Sequence, residues 1–158
     1  MLTHHRRPVC LSLISTNLPL WSSLETAATL YQRDSERFHL LLKQPPFPET
    51  LTPLNPASPP GQDGLLWLEL SPYRVIMTMQ GNDKIGYRHF WEQGVYGISR
   101  YWLHGDHNEQ YNTLRLRNYT RSLELIGTPL PYSLRIEYEL WSDQLQLGQY
   151  VLSLEIHH

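Results

Sequence analysis

The stretch "SLRIEYELWSDQLQLGQYVLSLEI", Ser133 to Ile156, alternates apolar and polar residues with a period of two. Leu134, Ile136, Tyr138 and Leu140 fall on one side, and Arg135, Glu137 and Glu139 on the other. This is the pattern of a strand with one face buried and the other in water. Ser142-Asp143 then turns the chain into a second alternating run. Within that run Leu145 and Leu147 give way to Tyr150, Leu152, Leu154 and Ile156, so the parity moves by one at Gly148. An extra residue at a glycine marks a β-bulge, and bulges bend sheets.

The same period recurs towards the N-terminus. "LLWLEL" (65–70) and "YRVIMTMQ" (73–80) flank Ser71-Pro72, and Gly81-Asn82-Asp83 supplies the next turn before an aromatic stretch. In "NTLRLRNYTRSLELIG" (112–127), Leu114 and Leu116 are even-numbered but Leu123 and Leu125 odd. A strand that simply continued would put one set in water, so a turn is expected near Asn118 to Thr120, dividing the segment into two strands.

The region before residue 65 reads differently. Ser22 and Glu25 have the spacing of a capping box, in which each side chain satisfies the other's backbone N–H. Leu24, Ala27, Ala28, Tyr31, Phe38, Leu41 and Leu42 keep roughly helical spacing, with Arg33, Asp34, Glu36 and Arg37 largely opposite. An amphipathic helix is predicted over about 23–43, ended by Pro45 and Pro46. The proline-rich segment 45–64 predicts an exposed connector, and its length makes it a candidate lid or partner-binding loop. The antiparallel sheet then occupies about 65–157.

The expected architecture is therefore a single domain, 1–158, mainly β with one helix (α+β). It comprises an N-terminal amphipathic helix and a strongly curved antiparallel meander or small barrel of about 7–8 strands. A helix followed by a curved sheet rich in Tyr and Trp is similar to the arrangement of small β-barrel binders such as the calycin group. That resemblance is one of architecture; it implies a ligand-holding interior and leaves function open.

Composition narrows the function classes. The 158 residues carry 13 basic and 15 acidic side chains, a formal net charge of −2, so no global positive field exists to gather phosphates. Nucleic acid is not expected as the main partner. Charged residues are 18% of the chain, below the usual share of about 25%, while ten tyrosines and five tryptophans raise the aromatic content. Cys10 is the only cysteine, which excludes an internal disulfide and a thiolate metal cluster and points to a reducing, cytoplasmic setting. Arg6 and Arg7 before an apolar stretch resemble the start of a signal peptide, but Pro8, Ser12, Ser15, Thr16, Asn17 and Pro19 interrupt it. No run approaches the roughly 20 apolar residues of a membrane-spanning helix.

Three groups of residues could carry chemistry. In "HGDHNE", His104, Asp106 and His107 offer metal-ligand atoms, but the setting between two strands is equally that of a polar hairpin turn. Arg115, Arg117 and Arg135 oppose their neighbouring leucines in parity, and Arg121 lies in the polar stretch between the two leucine sets; the four could clamp a carboxylate or phosphate, or alternate with Glu124, Glu137, Glu139 and Glu155 on a solvated face. Phe90, Trp91, Tyr96, Tyr101 and Trp102 are aromatic residues close in sequence, of which Tyr and Trp tolerate a half-wet position, and some should line a pocket or an interface. No Gly-x-Ser-x-Gly elbow or phosphate-binding loop is present.

The sequence reading is accordingly a non-catalytic accessory or assembly protein, with no cofactor. It would bind a protein partner through a surface comprising Phe90, Trp91, Tyr96, Tyr101, Trp102, Arg115 and Arg117. The alternative is a calycin-like barrel for a small aromatic or conjugated ligand, of the tetrapyrrole kind with acidic side arms. A third reading is a metal-dependent enzyme using His104, Asp106 and His107.

Overall fold

The computed structural model describes residues 3–44, 64–81, 85–104 and 111–158. They form the strands β1 (Thr3–Ser15), β2 (Trp21–Gln32), β3 (Phe38–Gln44), β4 (Gly64–Leu70), β5 (Arg74–Gln80), β6 (Ile85–Glu92), β7 (Tyr96–His104), β8 (Tyr111–Ile126), β9 (Ser133–Ser142) and β10 (Leu145–Ile156). Consecutive strands pair antiparallel, and β1 also pairs with β10, so the ten-stranded meander closes into a barrel. The mainly β, antiparallel character expected from the sequence holds, and the strand number is higher.

The expected helix over 23–43 is instead β2, a turn and β3, and no helix occurs among the described residues. Leu24 and Ala28, like Phe38 and Leu42, are four residues apart. That spacing places two side chains on one face of a helix and equally on one face of a strand. The odd-numbered neighbours discriminate: Ala27, Tyr31 and Leu41 turn outward, while Ala28, Leu30, Phe38, Leu40 and Leu42 are at most 3% exposed. Ser22 caps nothing; it lies opposite Leu13 in the β1–β2 ladder. The charged residues assigned to a helix face form the β2–β3 turn. There Asp34 accepts the backbone N–H groups of Glu36 and Arg37 at 2.9 and 2.8 Å and the Nε–H of Arg37 at 2.6 Å. These bonds hold its carboxyl below the usual carboxylate range. The good helix formers in this stretch are overridden by the burial that strands on either side provide.

A second correction concerns Asn118 to Thr120. β8 runs straight through them, and the parity change comes from a bulge at Arg121, where the β8–β9 register shifts between Thr120 and Ser122. The other parity change does match its expected cause, with the β9–β10 register shifting between Gln146 and Gly148. Asp143 completes the β9–β10 turn in the left-handed region, at φ 53°.

The barrel interior is lined by Val9, Leu30, Leu40, Leu66, Leu68, Leu70, Val75, Leu134, Ile136, Leu152 and Leu154, each at most 2% exposed. Burying a leucine or isoleucine this fully contributes about 1.5–3 kcal/mol. On the outside, charged residues such as Glu69, Arg74, Arg135 and Glu137 are interspersed with apolar ones such as Leu41, Leu65, Trp67 and Ile76. No helix among the described residues is long and apolar enough to cross a membrane. The connector residues 45–63, and Asp106 and His107 of the metal candidate, lie outside the described residues; His104 is the last residue of β7.

Candidate functional site

Strand alternation divides the aromatic candidates between the two faces of β6 and β7. Trp91 and Tyr101 point into the barrel, whereas Phe90, Tyr96 and Trp102 point out. Arg115 and Arg117 also point out, so five of the seven candidates share the outer face of β6–β8.

The outer face is organised in cross-strand rows. Gly86, Trp102 and Thr113 form one; Arg88, Arg100 and Arg115 the next; Ile98, Arg117 and Trp141 a third, reaching β9. The indole of Trp102 lies over Gly86 so closely that a Cβ there would come within 2.3 Å of its Cε2 and Nε1. Glycine at 86 is thus what lets the ring lie against the sheet. Arg117 sits 5.2 Å over the ring of Tyr96 and donates from Nη2 to the carbonyl of Asp143. Tyr96 packs on Tyr119 at 4.9 Å, and Arg74 covers Phe90 at 5.5 Å. Tyr96 and Ile98 nevertheless remain 55% and 51% exposed.

Beyond this face, towards β9, charges pair with opposite sign. Arg121 meets Glu139 at 3.7 Å and Arg135 meets Glu137 at 2.9 Å, as expected for a mixed, solvated sheet surface. The row Arg88, Arg100, Arg115 differs. All three are exposed, and among the described residues no carboxylate lies within 4.0 Å of any of them.

The inward residues belong to a separate polar cluster. His89 stacks on Trp91, its Nδ1 lies 2.7 Å from Ser99 Oγ, and its Nε2 lies 3.3 Å from the Tyr101 hydroxyl. Asn118 Nδ2 donates to Ser99 Oγ at 2.9 Å. Tyr138 packs on Trp91 at 5.1 Å and on Tyr150 at 5.4 Å. Burial drives His89, Tyr87, Tyr101 and Tyr138 towards their neutral forms. His89 is lowered to about 4 and Tyr87 raised to about 12, while Tyr101 and Tyr138 are raised by burial and then by the neighbouring phenols. Trp91 Nε1, Asn118 Oδ1 and Thr120 Oγ1 are buried without a hydrogen-bond partner.

A third feature is a shallow cleft of about 180 Å³ where the β2–β3 and β4–β5 turns meet, lined by Arg33, Arg37, His39, Glu69 and Arg74 among others. By itself it is smaller than the roughly 300–1,000 Å³ of ordinary small-molecule sites, and an adjoining open hollow of about 510 Å³ shares Arg37, Ser71 and Arg74 with it. Burial lowers His39, Glu69 opposes that, and Arg33 and Arg37 add to it. Among the described residues, no three His, Cys, Asp or Glu side chains gather as metal ligands would.

Sequence reading missed Arg88 and Arg100, although both lie inside the aromatic stretch, and also His89, Ser99 and Asn118. The arginine row is a product of register across two hairpins, which alternation within a strand does not reveal.

No family model matches the chain, and no curated protein matches it in sequence. Among solved structures, the chain is similar to the ywiB protein from Bacillus subtilis, with a TM-score of 0.64 and 12% identity, covering 99% of this chain and 94% of that one. At that identity the likeness is one of fold, extending over nearly the whole of both chains.

Proposed function

We propose that the chain is a non-catalytic accessory protein that binds a protein partner through the outer face of β6–β8. The observation that carries this reading is the apolar and aromatic group Tyr96, Ile98 and Trp102, held outward on one rigid face beside Arg115 and Arg117. Aromatic and arginine side chains around a water-excluding centre are the usual composition of an interface core. The proposed contact runs through the side chains that the closed barrel turns outward here. A cytoplasmic setting fits the single free thiol of Cys10.

The test places a photo-crosslinking amino acid at Ile98 and, as a control, at the exposed outer position Ala27 of β2. A discrete protein adduct from position 98, absent from position 27 and lost with Trp102→Ala, is expected in extract of the native host. No adduct at 98, or the same adducts at both positions, overturns the reading.

A second reading, a barrel holding a small ligand, draws on the unpartnered polar atoms Trp91 Nε1, Asn118 Oδ1 and Thr120 Oγ1. Those atoms would suit an uncharged ligand, since burial holds His89, Tyr87, Tyr101 and Tyr138 towards their neutral forms. Native mass spectrometry of the purified chain decides it: a bound small molecule lost in Thr120→Val supports the reading, and the bare chain mass counts against it.

A further inference from the structure

We propose that the Arg88–Arg100–Arg115 row recognises clustered carboxylates on an acidic segment of a protein partner. This rests on the docking face proposed above and names the chemistry that occupies it.

Arg88 stands opposite Arg100 in the β6–β7 ladder, and Arg100 stands opposite Arg115 in the β7–β8 ladder. Adjacent strands lie about 4.8 Å apart, so three guanidinium stems leave the sheet within about 10 Å of one another. Like charges directly opposite destabilise a sheet. Elsewhere on the barrel the chain avoids this by placing acids beside arginines, as in Arg121 with Glu139 and Arg135 with Glu137. Three adjacent arginines are the arrangement that an anion from outside would stabilise, and the guanidinium fork accepts a carboxylate through two parallel hydrogen bonds.

The flanks identify the kind of anion. Trp102 borders the row on one side and Ile98 on the other, so the occupant presents acidic groups with apolar neighbours. A nucleic acid strand would need a positive track continuing past the row. Here the arginine row gives way on β9 to Glu137 and Glu139, which pair with Arg135 and Arg121, and the chain's net charge of −2 offers no field to hold a long polyanion. A short acidic peptide segment fits both the width of the row and its borders.

The experiment titrates the full chain into a fluorescein-labelled hexaglutamate peptide at low salt and follows anisotropy, with a six-residue oligouridylate as the competing class. Hexaglutamate binding is expected, weakened about tenfold or more by Arg100→Glu and by Arg88→Glu, and changed little by Arg135→Glu off the row. Circular dichroism confirms that each variant is folded. Tighter binding of the oligouridylate overturns the proposal in favour of nucleic acid. So does an absence of hexaglutamate binding, or an equal loss in Arg135→Glu, which would mark a generic charge effect. If hexaglutamate fails while the Ile98 adduct still depends on Trp102, the docking face stands and the acidic occupant falls.

Discussion

The imidazole of His89 lies parallel to the indole of Trp91 inside the barrel, with ring centroids 4.9 Å apart and planes 4° from parallel. Burial lowers His89 to about 4 from its ordinary 6.5, so the folded chain resists a proton that the unfolded chain accepts. Acid therefore favours unfolding across that window. Above about pH 7 the group has no effect on stability. As pH falls below 6.5 stability declines, by about 2 kcal/mol at pH 5 and more towards 4. Urea midpoints measured between pH 7 and pH 5 check this, and a flat profile would contradict a neutral, buried imidazole.

Thr120 gives a prediction of opposite sign. Its hydroxyl is buried without a partner, and valine has nearly the same shape without the polar atom. Thr120→Val should be neutral or stabilising by up to about 1–3 kcal/mol, because an unsatisfied buried hydroxyl carries an uncompensated desolvation penalty. Asn118→Leu should instead destabilise, since it removes the donor to Ser99 Oγ. Chemical denaturation of both variants decides; clear destabilisation by Thr120→Val would mean that the hydroxyl has a partner in solution.

The strand assignment of 38–44 is open to a direct test. Leu40 is fully buried and Leu41 faces outward beside Trp67. Leu40→Ala should cost about 2–5 kcal/mol and Leu41→Ala well under half of that. Similar losses at both positions would contradict alternation.

These cases also show how far sequence alone reached. Strict alternation in 133–141 and the parity change at Gly148 identified β9, β10 and their bulge, because a period of two with charged partners has no helical counterpart. Residues 24–44 misled because Leu24 with Ala28, and Phe38 with Leu42, fit a helix and a strand equally. Arg121 was hidden because a bulge without glycine leaves the same parity change as a turn. At the candidate site, alternation could have separated inward Trp91 and Tyr101 from outward Tyr96 and Trp102. It could not have aligned Arg88, Arg100 and Arg115, which depends on loop lengths between three strands.

Gly86 and Trp102 should be energetically coupled. A Cβ at position 86 would meet the indole at 2.3 Å, so Gly86→Ala must displace the ring. Overpacking of this kind costs about 1–3 kcal/mol, and the loss should nearly vanish in a Trp102→Ala background. A double-mutant cycle by urea denaturation measures the coupling; additive losses would place the indole elsewhere.

The proposed binding is on the outer face of β6–β8, away from the barrel interior. Nitrogen-edited NMR of the side-chain Nε–H signals, recorded while hexaglutamate is titrated into the labelled chain, tests it most directly. The predicted result is movement of the Arg88, Arg100 and Arg115 signals together with the indole N–H of Trp102, while the indole N–H of Trp91 stays still. Movement of Trp91, or changes confined to Arg33, Arg37 and Arg74 in the cleft, would contradict the account.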